Sequence, residues 1–266
     1  MMKVGTFNIY WFGDSERFKH SPEDDLRLAS LIRSMNVDVI GFIEIVDVPR
    51  FEALLANVGP TWTFRDAAND TLTSTPGSQH LVLAWNTDTV ELVRWMRINS
   101  GDRSPIVARL KERATAKEVL AILVHPKSTR FTDPIGIEKR TKTFKAVVSF
   151  LADPPPEFRN LPAFVFGDFN SLAGSPEQVP LVAQQDWRLL APGIVPADAD
   201  VWTTNLDKEV IDHFVISPAI TVTDGPTIIA YDQDPAIDDP PGPGDPTGLV
   251  MKRLSDHRPV WVTFAL

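Results

Sequence analysis

Residues 163–171 read AFVFGDFNS, an apolar run that ends in a carboxylate and an amide. The first four residues, 163–166, are typical of a strand that is buried on both faces. Asp168 and Asn170 follow Gly167, and both residue types are common in turns, so a surface turn would explain them. A catalytic site at the end of a buried strand would explain them equally well. The other strands of the chain have to distinguish these two interpretations.

The composition is that of a globular protein with a sizeable core. The chain has 266 residues, of which 43% are hydrophobic, enough for one large domain or two small ones. No apolar stretch approaches the length of a membrane helix, and the initial MMKVGTFNIYWFG is interpreted as a strand, not as a signal peptide. The absence of cysteine excludes disulfides, thiolate metal sites and a cysteine nucleophile. We therefore expect a cytoplasmic monomer without a membrane span.

The net charge of −9 gives the protein no global electrostatic attraction for nucleic acid. The charge is unevenly distributed, however. Residues 126–145 contain six basic and two acidic residues, whereas residues 219–250 contain six aspartates and no Lys or Arg. The basic segment is either a local face for an anionic substrate or an ordinary solvated helix face. Charge alone leaves both interpretations open.

The periodicity of the apolar residues predicts an α/β protein. Helical spacing recurs at 28–35, 51–58 and 135–151, and Ser-Pro-Glu at 175–177 predicts a short helix. Strand-like runs lie at 4–9, 37–43, 81–85, 89–95, 105–110, 118–124, 163–166, 211–217, 221–229 and 259–264. Helices and strands alternate at both ends of the chain, with successive strands between them. This order favours two sheets packed face to face with helices outside.

The chain is interpreted as a single domain, residues 1–266. Residues 231–248 are rich in Pro, Gly and Asp, but a strand follows them soon afterwards. We therefore interpret them as a loop insertion and not as a linker between domains. They lack EF-hand spacing, and loose Ca²⁺ binding is one interpretation of their acidic residues. We expect instead a surface loop beside the site, with a role in substrate selectivity or with none.

Polar side chains lie at the ends of several apolar strands. Taken singly, each has an ordinary explanation, such as a capped turn, an ion pair or a buried histidine with satisfied hydrogen bonds. Taken together, they point to one shared rim, where buried carboxylates are costly unless a cation neutralises them. Oxygen ligands without cysteine suit Mg²⁺, Mn²⁺ or Ca²⁺. These residues are Asn8, Glu44, His125, Asp168, Asn170, Asp212, Asp256 and His257.

The motifs TFNIYW, FIEI, VHPKS, GDFNS, IDHFVIS and SDHRPV, in this order, resemble those of the endonuclease/exonuclease/phosphatase superfamily, in its deoxyribonuclease-like form. GDFN combined with a terminal SDHRPV is specific, and the resemblance covers residues 3–264. It implies a four-layer α/β sandwich, in which helices flank two packed mixed sheets. It also implies hydrolysis of phosphodiester or phosphomonoester bonds with Mg²⁺ or Mn²⁺, with Ca²⁺ as an alternative.

The resemblance implies a metal site and a water-activating group. Glu44 is the main metal ligand in this interpretation, and Asn8 and Asp256 assist it. Asp168 orients or deprotonates the attacking water. Asn170 donates a hydrogen bond to a phosphoryl oxygen and holds Asp168 in place. Phosphoryl transfer needs this in-line placement of water together with charge neutralisation on the phosphoryl oxygens.

The resemblance also implies roles for two imidazoles. His257 binds the scissile phosphate or exchanges a proton with it, and Asp212 hydrogen-bonds His257 and sets its tautomer. His125 is a candidate acid for the leaving group. A His here is shared by the deoxyribonuclease, sphingomyelinase and inositol-phosphatase branches, whereas abasic-site endonucleases typically carry Tyr. Pancreatic-type deoxyribonucleases pair this His with a Glu, where the present chain has Ser78.

Three further residues are candidates for substrate binding. Arg103 opens an Arg-Ser-Pro stretch similar to that of deoxyribonuclease-like proteins, and it either reaches a phosphate or lies on the surface. Lys127 lies near the predicted rim and is a candidate phosphate contact. Trp202 precedes Asp212 in a loop that often lines the substrate groove in relatives, although core packing also explains a single Trp.

Three functions compete at this point. The first is a metal-dependent phosphodiesterase, a nuclease acting on DNA or RNA. The second is a phosphomonoesterase or small-molecule phosphodiesterase for an inositol phosphate, a nucleotide or a phospholipid head group, and the negative net charge favours it. The third is a non-catalytic binding relative, which would be expected to have lost site residues. The site gives a reaction type and little more, because nucleases, lipases and phosphatases share the fold and the catalytic set.

Overall fold

The computed structural model describes residues 1–14, 16, 19–68, 78–101, 103–129, 131–184, 186–192, 204, 209–234 and 254–266. The strands in this part of the chain are β1 (Met2–Phe12), β2 (Val39–Ile45), β3 (Trp62–Ala68), β4 (His80–Asn86), β5 (Val90–Arg97), β6 (Ile106–Glu112), β7 (Glu118–Val124), β8 (Ala163–Asp168), β9 (Arg188–Leu190), β10 (Asp212–Ile216), β11 (Thr221–Ile228) and β12 (Val260–Ala265). The α-helices are α1 (Pro22–Met35), α2 (Val48–Val58), α3 (Pro134–Ala152) and α4 (Val179–Val182).

These strands form two six-stranded mixed sheets. The first has the order β11-β12-β1-β2-β4-β3, and the second has the order β5-β6-β7-β8-β10-β9. β1 and β2 are parallel, as are β7 and β8, and the other neighbouring strands are antiparallel. α1 and α2 cover the outer face of the first sheet, and α3 and α4 cover that of the second. The predicted four-layer α/β sandwich is therefore confirmed.

Apolar side chains fill three layers because both faces of each sheet are covered. Successive residues of a strand point to opposite faces, so β1 places Val4 between the sheets and Phe7 under the helices. β8 likewise places Phe166 between the sheets and Val165 on the side of α3. A strand that is covered on both faces needs apolar residues at every position. This explains the uninterrupted AFVF at 163–166.

α1 begins where the sequence predicts. The Ser21 hydroxyl accepts a hydrogen bond from the Asp24 backbone N–H at 3.2 Å, and the Asp24 carboxylate accepts one from the Ser21 N–H at 2.7 Å. Pro22 occupies the first turn, where a missing N–H costs nothing. α1 buries the predicted stripe of Leu28, Leu31, Ile32 and Met35.

No helix in the described part of the chain is long and apolar enough to cross a membrane.

Two edge strands are absent from the sequence prediction. β3 pairs only with β4 at the edge of the first sheet, and Arg65 and Asp66 interrupt its apolar pattern. β9 has three residues at the edge of the second sheet. Edge strands have one hydrogen-bonded neighbour and tolerate polar residues, which explains how apolar periodicity misses these two while it predicts the other two edge strands, β5 and β11.

Two loop segments differ in detail from the prediction. Pro176–Gln178 forms a 3₁₀ turn that leads into α4, where the sequence predicts one short helix. Tyr231–Gln233, the first residues of the predicted insertion, form another 3₁₀ turn. Residues 235–250 lie outside the described part of the chain, so the loop insertion and the single domain stay predictions.

Gly167 is required by the close approach of β7 and β8. Its φ is +133°, and a Cβ at this position would lie 2.2 Å from the backbone carbonyl oxygen of Val124. Val124 has little freedom to move away because β7 is paired on both sides by β6 and β8. Gly174 also has a positive φ, +79°, but no atom lies within 4 Å of its corresponding Cβ position. Both glycines therefore have a positive φ that favours glycine, but only at Gly167 would a Cβ also clash with a neighbouring backbone atom.

We predict that Gly167→Ala lowers the free energy of unfolding by ~2 kcal/mol more than Gly174→Ala does, because only the first variant adds a backbone clash. Gly174→Ala is the matched control, and its positive φ alone should cost ~1 kcal/mol. Urea denaturation followed by circular dichroism measures both losses. Equal losses would show that the approach of Val124 is not what requires glycine.

His213 in β10 is a fully buried histidine outside the predicted site. Its Nε2–H donates to the carbonyl oxygen of Ser171 at 3.0 Å, and no hydrogen-bond partner for its Nδ1 is found in the described residues. Burial lowers the pKa of His213 to about 4, while the hydrogen bond to Ser171 and the charge of Asp212 act in the opposite direction. The imidazole is therefore neutral in the folded protein at neutral pH.

We predict that His213 makes the fold sensitive to acid. An unfolded His titrates near pH 6.5, so between that pH and about 4 the unfolded chain binds more protons and the free energy of unfolding falls as the pH falls. The part due to His213 between pH 7 and pH 4.5 is ~2 kcal/mol. His213→Gln keeps a side-chain N–H donor and should reduce this loss, as measured by urea denaturation at the two pH values. An unchanged pH dependence would contradict the assignment.

Candidate active site

The polar strand ends meet at one rim of the sandwich because of the directions of the strands. β1 and β2 are parallel and end at the same edge of the first sheet, as β7 and β8 do in the second. β10 is antiparallel to β8 and pairs Asp212 with Asp168. β12 is antiparallel to β1, so the turn before it, residues 255–258, lies beside the end of β1. Motifs that are far apart in sequence are thus brought together.

Asn8 joins the carboxylates of the two sheets. Its Nδ2 donates to Oε1 of Glu44 at 3.3 Å in the first sheet and to Oδ2 of Asp168 at 3.1 Å in the second. Its Oδ1 accepts a hydrogen bond from the Tyr10 N–H at 3.0 Å. Tyr10 and Trp11 have positive φ values of 29° and 49°, which mark an irregular end of β1. Asn8 itself lies on the same face of β1 as Val4, because side chains alternate along the strand, and its amide therefore faces the second sheet.

Asp168 is a buried carboxylate with an elevated pKa. Its Oδ1 accepts a hydrogen bond from the Asn170 N–H at 2.7 Å, and the Asn170 amide donates to the carbonyl oxygen of Pro126 at 3.2 Å. Burial raises the pKa of Asp168 to about 6, the charge of His257 opposes the rise, and that of Asp212 adds to it. A carboxyl group that titrates near neutral pH is suited to accept a proton from water.

His257 and Asp212 form a buried hydrogen-bonded pair. Nδ1 of His257 lies 2.9 Å from Oδ2 of Asp212, and its Nε2 lies 3.8 Å from Oδ2 of Asp168. Burial disfavours the charged imidazole, but the carboxylates of Asp212, Asp256 and Asp168 outweigh it and raise the pKa of His257 well above its usual value. The rim therefore holds an imidazolium next to a carboxylate that can accept a proton.

Nε2 of His125 contacts Arg103, and it lies 3.6 Å from Oε1 of Glu44 and 3.7 Å from Oδ2 of Asp168. Nη1 of Arg103 lies 2.6 Å from Nε2 of His125 and 3.1 Å from the carbonyl oxygen of Pro126, and Nη2 donates to Gln79 at 3.3 Å. Burial and the charge of Arg103 hold the pKa of His125 well below its usual value. Because a guanidinium only donates, Nε2 of His125 is the acceptor in this contact. An acid role for His125 stays a prediction, and it requires this contact to break.

Glu44 and Asp256 supply oxygen donors suited to a cation. Glu44 is buried, and burial raises its pKa while Arg103 and His257 oppose the rise. Asp256 is partly exposed and lines the same cavity. In the described residues no three His, Asp or Glu side chains are grouped to hold an ion alone. Two carboxylates fit Mg²⁺ or Mn²⁺ nevertheless, because these ions keep water and substrate oxygens as further ligands.

A metal ligand would direct its side-chain oxygen toward the ion beside Glu44, and Asn8 is oriented differently. It directs its amide N–H toward Glu44, whereas its oxygen is used by the Tyr10 N–H. In this orientation Asn8 stabilises the charge of Glu44 as a hydrogen-bond donor. Its role as a metal ligand therefore stays a prediction.

The site residues surround a cavity of about 650 Å³. Asn8, His125 and Asp212 lie behind the cavity wall, where they hydrogen-bond residues that line it. Trp202 lies outside the described part of the chain. The lining includes Glu44, Asp168, Asn170, Asp256 and His257, together with Arg103 and Lys127.

The residues that hold the turn carrying His257 are absent from the sequence prediction. The Ser255 hydroxyl donates to the carbonyl oxygen of Asn8 at 2.6 Å and accepts from the His257 N–H at 3.0 Å. The Tyr231 hydroxyl lies 2.8 Å from the carbonyl oxygen of Ser255 and 3.1 Å from that of His257. A Ser two residues before a His is a weak signal for such a turn, and nothing in the sequence pairs it with Tyr231.

A buried ion pair also holds the same turn. Arg258 contacts both carboxylate oxygens of Asp232 at 2.7 Å, and both side chains are almost fully buried. Tyr231 and Asp232 both belong to the start of the segment that the sequence identifies only as a surface loop. The beginning of this segment is therefore part of the support of the site.

Solved structures of related fold match nearly the whole chain. A mannosyl-6-phosphatase from Bacteroides thetaiotaomicron is 15% identical, with a TM-score of 0.69 and coverage of 100% of both chains. The human Nocturnin catalytic domain with bound sulfate is 14% identical, with a TM-score of 0.71 and coverage of 99% of this chain and 94% of that one. D. rerio TDP2 complexed with a single-strand DNA product is 14% identical, with a TM-score of 0.66 and coverage of 100% and 99%. At these identities the likeness shows the fold.

The sequence profile gives the family. No curated protein matches the sequence. The profile of the Endonuclease/Exonuclease/phosphatase family, however, matches residues 5–257, which include every motif of the ordered series above except the last three residues of SDHRPV. Enzymes of this family hydrolyse phosphoester bonds and generally depend on a divalent metal. The chain therefore belongs to the endonuclease/exonuclease/phosphatase family.

Proposed function

We propose that this protein is a divalent-metal-dependent phosphodiesterase, a nuclease acting on DNA or RNA. The observation that carries the proposal is the position of Asp168, which lies between Asn8 of the first sheet and the His257–Asp212 pair, with Glu44 nearby. Buried carboxylates around one imidazolium are costly to desolvate, so a contribution to the stability of the fold is a poor explanation for this cluster. Groups with strongly shifted pKa values in a cavity are instead typical of catalytic sites.

Asp168 accepts a proton from the attacking water in the proposed reaction. The Asn170 N–H donates to Oδ1 of Asp168 at 2.7 Å and the Asn8 amide donates to Oδ2 at 3.1 Å, and the two contacts together fix the carboxylate plane. With a pKa of about 6, the group is mostly ionised at pH 7 and remains a useful base. Asn170 lines the cavity, and its side-chain amide has two N–H groups. One donates to Pro126, and the other can donate to a phosphoryl oxygen.

His257 neutralises charge on the phosphoryl group. Its Nδ1–H is directed to Asp212, which leaves Nε2–H facing the cavity side of Asp168. An imidazolium there donates a charged hydrogen bond to an equatorial phosphoryl oxygen, where negative charge is concentrated during transfer. In this role His257 binds the phosphate, and Asp212 sets its orientation.

Arg103 is the second cation that faces the phosphate. His125 and Gln79 hold its guanidinium through acceptor contacts of 2.6 and 3.3 Å. We therefore assign His125 a positioning role, as a neutral acceptor that holds Arg103 at the cavity. Lys127 lines the same cavity and contributes a further positive charge for a phosphate.

Glu44 and Asp256 would hold the metal ion, and Asn8 would support Glu44. A bound divalent ion polarises a phosphoryl oxygen and lowers the pKa of bound water. The remaining steps of the proposal depend on the side chains described above. The raised pKa of Glu44 reflects a desolvated charge that such an ion would neutralise.

We predict that the wild-type protein cleaves phosphodiester bonds in a metal-dependent reaction. Asp168→Asn should lower kcat by roughly 10²-fold or more, because the variant removes the proton acceptor. The assay uses plasmid DNA, RNA and bis-p-nitrophenyl phosphate, each with Mg²⁺ or Mn²⁺ and with EDTA. Asp88→Asn is the matched control, since it removes the same charge at an exposed position.

Two results would contradict this proposal. Lack of metal-dependent cleavage of every substrate in the panel would exclude phosphodiester hydrolysis and favour a binding protein with this fold. Full activity of Asp168→Asn would exclude the assigned proton acceptor while leaving phosphoester hydrolysis in place.

A small phosphate ester is the second candidate substrate, and the size of the cavity favours it. A volume of about 650 Å³ lies within the range that holds small ligands. Arg103 and Lys127 are the Arg and Lys side chains on its described lining. The net charge of −9 would also repel a long polyanion from the rest of the surface.

We predict that salt separates the two substrate classes. If DNA contacts Arg103 and Lys127, kcat/KM on DNA should fall by about 10-fold between 50 and 200 mM salt, because each neutralised phosphate adds nearly one to the logarithmic slope. Lys127→Ala should then reduce this slope by about one, whereas Lys145→Ala, on an exposed part of α3, should not. A shallow slope on DNA, together with faster cleavage of small esters, would favour the second candidate.

A further inference from the structure

Thr204 connects the two halves of the His257–Asp212 pair. It is fully buried, and its Oγ1 accepts hydrogen bonds from the backbone N–H groups of Ile211 at 2.9 Å and Asp212 at 3.1 Å. Its carbonyl oxygen accepts a hydrogen bond from the Arg258 N–H at 2.7 Å. One residue thus holds the first residue of β10 and the residue that follows His257.

The hydroxyl of Thr204 is used as a donor as well as an acceptor. It lies 3.4 Å from the carbonyl oxygen of Glu209, and the Thr204 N–H donates to the same oxygen at 2.9 Å. Replacing the hydroxyl by a methyl group would therefore leave the N–H groups of Ile211 and Asp212 without this acceptor. Such a loss acts on the backbone that carries the Asp212 carboxylate.

The Asp212 carboxylate depends on its backbone for orientation. Oδ2 contacts His257, whereas Oδ1 is buried and has no hydrogen-bond partner among the residues that the structure describes. A carboxylate fixed through one oxygen can rotate or shift if its main chain moves. The two N–H contacts of Thr204 restrain that main chain at the point where β10 begins.

We propose that Thr204 is a positioning residue for phosphoester hydrolysis: it sets the distance between Asp212 and His257 and so directs Nε2–H of His257 into the cavity. The inference rests on the proposed function, because it assigns Thr204 to the same site. Catalysis is sensitive to small displacements, and a shift of about 1 Å can cost 10²-fold in rate. A purely structural Thr would instead affect folding without a selective effect on the chemical step.

The first test compares Thr204→Val with Thr204→Ser. Val keeps the shape and removes the hydroxyl, so kcat on the cleaved substrate should fall by about 10- to 100-fold while KM changes by less than about threefold. Ser keeps the hydroxyl and should retain activity within about threefold of wild type. Thr143→Val is the matched control, because Thr143 is a buried threonine in α3 whose hydroxyl bonds to Lys139 in the preceding turn. Unchanged kcat in Thr204→Val would overturn the proposal.

A double-mutant cycle tests whether Thr204 acts through Asp212. In an Asp212→Asn background, Thr204→Val should lower kcat by less than about threefold, because the pair it positions is already broken. A full additional loss in that background would overturn the proposal in favour of a separate structural effect. If Thr204→Val does not fold, Thr204→Ala replaces it in the same cycle.

Proton NMR separates this inference from the proposed function. A buried His–carboxylate hydrogen bond gives a far-downfield imidazole N–H resonance, which His257→Gln and Asp212→Asn assign by its disappearance. Thr204→Val should shift or broaden this resonance, and Thr204→Ser should preserve it. If wild-type protein cleaves no phosphate ester but the resonance responds in this way, positioning of the pair holds and the proposed function fails. A resonance that is identical in Thr204→Val would overturn the positioning role.

Discussion

Burial of negative charge at the junction of the two sheets is the constraint on which the site depends. Glu44 comes from the first sheet and Asp168 from the second, and Asn8 donates one N–H to each at 3.3 and 3.1 Å. Burial raises the pKa of both carboxyl groups. Removing these groups from water is costly unless hydrogen bonds, an imidazolium or a metal ion compensates for the lost hydration. The surrounding residues supply the first two of these.

The charged groups are held by residues that come from several loops. Ser255 links the end of β1 to the turn that carries His257, and Tyr231 contacts two carbonyl oxygens of that turn. The buried pair of Asp232 and Arg258 also holds this turn. These supports explain how an otherwise unfavourable cluster of ionisable groups is kept in one arrangement. They also connect the start of the Pro/Gly/Asp-rich segment to the chemistry of the rim.

Much of the fold can be predicted from the sequence because its signals are local. AFVF at 163–166 is apolar at every position, as a strand covered on both faces must be. The capping box at Ser21 marks the start of α1 without reference to any distant residue. β3 has no such signal, because an edge strand tolerates Arg65 and Asp66 within its pattern. Local periodicity therefore predicts the covered elements better than the edges.

The roles of individual side chains could not be predicted in the same way. His125 is conspicuous as a polar residue after a buried strand, but its contact with Arg103 depends on a loop 22 residues away. Asn8 is conspicuous for the same reason, yet its N–H faces Asp168, which lies 160 residues further along the chain. Which atom donates and which accepts is decided by these partners. The protonation states of these side chains depend on the same partners and on burial. A sequence motif specifies neither the partners nor the burial.

Periodicity and motif order are properties of the chain alone, so the layered α/β class, the family resemblance and the set of polar residues at the strand ends can be read from the amino-acid sequence. The packing of distant segments is needed to see that burial raises the pKa of Asp168 to about 6, that His125 holds Arg103, and that Thr204 bridges Asp212 and the His257 turn. The physical reason is that pKa values and hydrogen-bond directions depend on desolvation and on contacts between distant segments. These contacts exist only once the two sheets have packed together.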